Sequence, residues 1–262
     1  MSIRKGFACP IPLVGLLALS LMELGAATAA GDDRSRSAGP NPAQYKTNEI
    51  EGWTIYVNKD FLKRQPALAD RALTLLRLQL FQIARIVPAG AVKKLRTVRI
   101  WVEEKDPSTP CMAYHPNAEW LREHGTNPAM AGCVELANAR NFLDWTLEQP
   151  WMVLHELAHA YHHKFLTGGF ENSELKAAYQ NAMKTKRYES VLKIAHTEEK
   201  AYATTNPMEY FAEATEAFFG TNDFDPFVRS ELRRHDPAGY ELIKKLWGEK
   251  SDRATTDPVS SR

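Results

Sequence analysis

The sequence predicts an α+β domain: a small sheet packed on helices, with a helical C-terminal half. Three observations carry that expectation. Apolar residues alternate over short stretches in the first half, at residues 53–57 and 98–102, as half-buried strands require. From residue 150 onward they recur at helical spacing instead. Hydrophobic residues make up 44% and charged residues 25% of the 262, a balance that supports a packed core and excludes wholesale disorder.

The elements follow in order. Trp53, Ile55 and Val57 form one face of a first strand. Leu73, Leu76, Leu80, Ile83, Ala84 and Val87 then hold helical spacing up to Pro88, which stops the helix. Val98, Ile100 and Val102 mark a second strand. Residues 107–141 are irregular, apart from a short strand at Cys133–Leu136. Pro150 opens a helix that reaches Phe165 and ends at Gly168-Gly169. A second helix covers residues 173–185, and a third runs from the Asn206-Pro207 pair to Gly220. Asp225-Pro226 and Asp236-Pro237 each read as a cap and first turn, opening two last helices. The domain expected is 49–249, after a flexible polar linker at 31–48 and before a polar tail at 250–262.

Residues 1–30 stand apart. Arg4 and Lys5 precede an apolar run at 11–22, and Ala27-Thr28-Ala29 offers a small-x-small cleavage site. These features predict a signal peptide cut near Ala29 or Ala30, hence an exported protein, periplasmic or secreted. An uncleaved anchor over residues 11–30 is the alternative, weakened by the short run and by Glu23. Cys9 leaves with the leader. The pair that remains, Cys111 and Cys133, predicts a disulfide in an oxidising compartment, with two buried thiols as the alternative. Lys+Arg 33 against Asp+Glu 32 leaves a net charge of +1, which removes the electrostatic case for a nucleic-acid binder.

The chemistry concentrates in Trp151-Met152-Val153-Leu154-His155-Glu156-Leu157-Ala158-His159, which contains H-E-x-x-H. On a helix, His155 and His159 share one face, so both imidazoles reach one metal ion. Glu156 stands beside them, placed to take a proton from water on the metal. Four of the eight histidines fall within residues 155–163 of an otherwise apolar helix, which argues against solvent-facing rings. His162 and His163 diverge by about 100° around the helix and read as rim or supporting groups.

A catalytic zinc needs a third protein ligand and one open position. Position 165 is Phe, so a third histidine in the metzincin arrangement is absent. Glu171 and Glu174 follow the helix but lack an acidic partner four residues on. Glu209 and Glu213 stand four apart on one helix face, so one can ligate while the other supports a ligating histidine. Each also has a plain reading. Glu209 could complete a capping box with Asn206, and Glu213 could be a solvated carboxylate.

The two segments His155-Glu156-Leu157-Ala158-His159 and Tyr202 to Glu213 together resemble the catalytic segments of the anthrax lethal factor peptidase family. Pro-Pro endopeptidases and Mlc titration factor A peptidases are its relatives. The resemblance covers residue 150 to about residue 220. It implies a zincin-like fold and one Zn²⁺ held by His155, His159 and Glu209. It also implies Glu156 as general base, Tyr202 as the catalytic tyrosine and Glu213 as the carboxylate behind a ligating histidine.

The function implied is a gluzincin-type zinc endopeptidase acting on a peptide or protein, with no nucleic acid partner and no membrane attachment after leader cleavage. In such enzymes the peptide lies as an extra strand on a sheet edge. Cys133–Leu136 is either that edge or a plain core strand. Tyr114 and Trp120 either line the cleft or cover the core. A non-catalytic zinc module and a hydrolase of non-peptide amides are the competing classes. Oligomeric state and cleavage specificity are not encoded in any motif.

Overall fold

The computed structural model describes residues 44–249, so the leader, the first part of the linker and the polar tail lie outside the described residues. A five-stranded sheet is built from β1 (Tyr45–Ile50), β2 (Trp53–Asn58), β3 (Ile100–Val102), β4 (Met112–His115) and β5 (Cys133–Leu136). Its order is β1-β2-β3-β5-β4. Strands β2, β3 and β5 run parallel, while β1 and β4 pair antiparallel at the two edges.

Among the described residues ten helices complete the fold: α1 (Lys59–Arg64), α2 (Pro66–Ile86), α3 (Ala89–Leu95), α4 (Ala118–Glu123), α5 (Ala139–Trp145), α6 (Met152–Phe165), α7 (Ser173–Lys184), α8 (Pro207–Phe219), α9 (Arg229–His235) and α10 (Pro237–Leu246). A short hairpin of β6 (Val191–Leu192) and β7 (Glu198–Glu199) interrupts the helical half. This is the α+β arrangement expected, with a small sheet on helices. No helix among the described residues is long and apolar enough to cross a membrane.

Strand alternation sorts the sheet into two faces. Trp53, Ile55, Val57, Ile100, Val102, Met112, Tyr114, Val134 and Leu136 face the helices and join the main core with Leu76, Leu80, Leu154, Phe211 and Trp247. Trp101 and Cys133 point the other way, into a smaller cluster closed by Leu121 and Met130. Helix α6 runs through the main core, packed between α8 and the β4–β5 edge. Truncating a core ring such as the fully buried Phe211 to alanine would cost about 3–5 kcal/mol.

Four expectations change. The linker ends sooner, because Tyr45–Ile50 pairs with β2 along its whole length. Its polar residues alternate about a single buried Ile50, too weak a pattern to read as a strand. Cys133–Leu136 is an interior strand, and the edge beside α6 is β4, inside the stretch expected to be irregular. No disulfide joins Cys111 and Cys133. Cys133 pairs with His115, four residues along from Cys111, roughly 13 Å at strand spacing. A disulfide tolerates at most about 7 Å between Cα atoms. Lastly, Asp225-Pro226 opens no helix. Asp225 N–H bonds Leu192 O at 2.8 Å and Phe224 bridges to Lys193, so this segment pairs with the hairpin and α9 starts at Arg229.

Candidate metal centre

Helix α6 carries the H-E-x-x-H residues into the core. Met152, Val153, Leu154, Leu157, Ala158 and Ala160 are buried and hold the helix rigidly. The chain leaves it through Gly168, whose φ of 80° favours glycine, and Gly169, where an added Cβ would meet His163 O at 2.8 Å. Helix α8 is set by its cap. Asn206 Oδ1 accepts from Met208 N at 2.8 Å and Glu209 N at 2.9 Å, and Pro207 occupies the first turn. Glu209 does not return its carboxylate to the cap, as a capping box would. It turns toward α6.

There Glu209 Oε2 lies 3.1 Å from His155 Nε2 and 3.2 Å from His159 Nε2. The three donor atoms fall within 4.8 Å of one another. Zinc bonds of about 2.0–2.2 Å at a tetrahedral angle place neighbouring donors about 3.3 Å apart, so the two measured spacings match the edges of a zinc tetrahedron. Two imidazoles and one carboxylate also suit zinc chemically. The residues fit the metal.

Glu156 is buried beside them and accepts the backbone N–H of Tyr114, on edge strand β4, at 2.8 Å. Burial pushes its carboxyl above the usual range, against the pull of the neighbouring histidines and of that N–H. Tyr202 sits in a 3-10 turn, Tyr202–Thr204, just ahead of the Asn206 cap. Its ring lies 6.5 Å from that of His155, centroid to centroid. The turn is held by Tyr179 Oη donating to Thr204 O at 2.7 Å.

Glu213 and Glu216 continue the acidic face of α8 behind His155, and here the sequence reading is incomplete. Glu216 Oε1 takes the Nδ1 side of His155 at 2.6 Å, whereas Glu213 Oε1 is 3.8 Å away. Glu216 stands seven residues after Glu209, on the same helix face, and that spacing was the available signal. Burial raises the carboxyls of Glu213, Glu216 and Asp223. Burial alone would lower the pKa of His155, but the carboxylates of Glu209 and Glu216 hold it well above the ordinary value. Glu209 itself is held low by His159 and His155 against the effect of burial.

A small open pocket adjoins the centre. Pro110, Cys111, Met112, Trp145 and Met152 give it apolar walls, and His155, Glu156 and Glu216 its polar end. Of the loop aromatics, Tyr114 is buried on β4 and donates or accepts at His163 Nδ1, 2.8 Å away. Trp120 lies on the other face of the sheet, stacked on His124 at 3.9 Å. His162 is fully buried between Phe170 and Phe211.

No protein-family profile matches the chain, and no curated protein matches it. Among solved structures it is similar to a Pro-Pro endopeptidase (PPEP-2) from Paenibacillus alvei. The two are 19% identical over 68% of this chain and 90% of that one, with a TM-score of 0.41.

Proposed function

We propose that the chain is an exported, zinc-dependent endopeptidase of the gluzincin type, holding one Zn²⁺ through His155, His159 and Glu209. The observation that carries this reading is the donor triangle, with spacings of 3.1 and 3.2 Å at one carboxylate oxygen. When bound, zinc polarises a carbonyl oxygen and lowers the pKa of water to about 7. Glu156 takes the proton of the attacking water and delivers it to the leaving amine nitrogen, a task that suits a carboxyl whose proton affinity burial has raised. Tyr202 donates its hydroxyl hydrogen to the oxyanion that develops on the scissile carbonyl. Edge strand β4 receives the substrate backbone as a further strand.

A purely structural zinc site is closed by four protein ligands. Among the described residues, His155, His159 and Glu209 bring three donors within 4.8 Å of one another, one fewer than such a closed site uses. The test is hydrolysis of a mixed peptide pool, run beside metal analysis of the purified chain. Cleavage that a chelator abolishes and zinc restores is the expected result, with about one zinc per chain. Stoichiometric zinc without peptide cleavage would instead favour the binding module or a non-peptide amide substrate. Export is tested by N-terminal sequencing of chain recovered outside the cytoplasm, which should begin near residue 30.

A further inference from the structure

We infer that Glu216, and not Glu213, is the positioning residue that fixes the ring and tautomer of His155 for metal binding. The inference rests on the zinc reading above. An imidazole that ligates through Nε2 carries one hydrogen, on Nδ1, and that hydrogen makes one strong bond. Glu216 Oε1 stands 2.6 Å from Nδ1, within the range of a charge-assisted hydrogen bond. Glu213 Oε1 stands at 3.8 Å, beyond any. The short spacing also shows what the group His155, Glu213 and Glu216 does. At 2.6 Å there is room for a proton between Nδ1 and Oε1 but not for a cation, whose donors would stand about 3.3 Å apart.

Helix geometry explains why the later glutamate wins. At about 100° per residue, position 216 lies about 20° from the direction of Glu209, and position 213 about 40° to the other side. Side chains also tilt toward the helix N-terminus, which brings Glu216 back toward His155. Glu213 swings away toward Asn222 and Phe224, where it lines a separate small pocket. The pair Glu209 and Glu216 therefore grips the two nitrogens of one imidazole from a single helix. One carboxylate stands on the metal side and the other behind the ring.

The test measures zinc affinity of the full-length chain by competition with a chelator, and the visible spectrum of the Co²⁺-loaded chain. The variants are Glu216→Ala, Glu216→Gln, Glu213→Gln and Glu209→Gln. Glu216→Ala should weaken zinc about 10–100-fold and shift the cobalt bands. Glu216→Gln keeps an accepting oxygen and should recover part of the loss. Glu213→Gln should stay within about twofold of the parent, with an unchanged cobalt spectrum, given that Glu213 makes no bond to the ring. Parent-like affinity and spectrum in both Glu216 variants, or a larger loss in Glu213→Gln, would overturn the inference. If the parent chain, or Glu209→Gln and the parent alike, show no specific zinc site, the zinc reading itself fails and this inference with it. Glu216→Gln keeps volume and shape, so the comparison survives even if the alanine variant fails to fold.

Discussion

Two regions among the described residues bury carboxylates beside imidazoles, and they balance their charge differently. On the sheet face away from the core helices, His115 Nε2 meets Glu135 Oε2 at 2.7 Å, one imidazole to one carboxylate. Glu103 nearby is served by neutral donors, Tyr45 at 2.6 Å and Asn58 at 2.7 Å. Between α6 and α8 the ratio is different. The carboxyls of Glu156, Glu209, Glu213, Glu216 and Asp223 crowd the imidazoles of His155 and His159. Burying surplus negative charge is costly unless protons or a cation neutralise it. The sheet-face pair is matched one imidazole to one carboxylate, whereas the α6–α8 layer carries more carboxyls than imidazoles, a surplus that the proposed metal ion would help to neutralise.

The largest effect should come from the α6–α8 layer. Glu156→Gln should lower kcat/KM by roughly 10²–10⁴-fold while the chain keeps about one zinc, because the proposed mechanism uses Glu156 as base and not as ligand. Substantial turnover at neutral pH in that variant would contradict the assigned role. Tyr202→Phe should lower kcat and kcat/KM together by about 10²-fold, with zinc content and melting temperature unchanged. An unaltered rate would remove the hydroxyl from the chemistry.

The matched region should respond in the opposite way. His115→Leu leaves Glu135 buried without its partner and should cost about 1–3 kcal/mol of stability in urea unfolding, while kcat/KM per folded chain holds. A selective loss of turnover would show that the two regions are coupled.

A third buried group sharpens the contrast, having no carboxylate partner at all. His162 has no carboxylate beside it, and burial, with His159 and His163 nearby, lowers its pKa from 6.5 to about 3. The unfolded chain takes up a proton near 6.5 that the folded chain refuses until about 3. This contribution to stability is therefore whole above pH 6.5 and drains as pH falls, by up to about 1.4 kcal/mol per unit. Unfolding at pH 6.5, 5.5 and 4.5 with chelator present should show a shallower decline in His162→Leu than in the parent. Equal slopes would mean that the ring is protonated in the fold.

Local chemistry was legible in the residues. The helix through His155 and His159 and the helix between the Asn206 cap and Gly220 need only periodicity and end signals, which act within a few residues. The parallel strands at Trp53–Asn58 and Ile100–Val102 were readable for the same reason, since each alternates against a strongly apolar face. H-E-x-x-H fixes two imidazoles on one helix by spacing alone, so their meeting needed no tertiary information.

Tertiary structure decided whatever depends on register and on the rotation of one element against another. Strand β4 carries a short pattern that no local rule separates from a loop, and it became the edge only because β5 lay inside it. The same register set Cys111 and Cys133 at opposite ends of the pairing, out of reach of a disulfide. Glu209, Glu213 and Glu216 share a helix face, and spacing alone cannot rank them. The angle at which α8 crosses α6 does, because it aims Glu209 at Nε2 and Glu216 at Nδ1 of the same ring, while Glu213 passes it by. Sequence by itself determined which groups could act together, since that is a matter of short-range geometry. Which of them touch is settled by packing between elements distant along the chain.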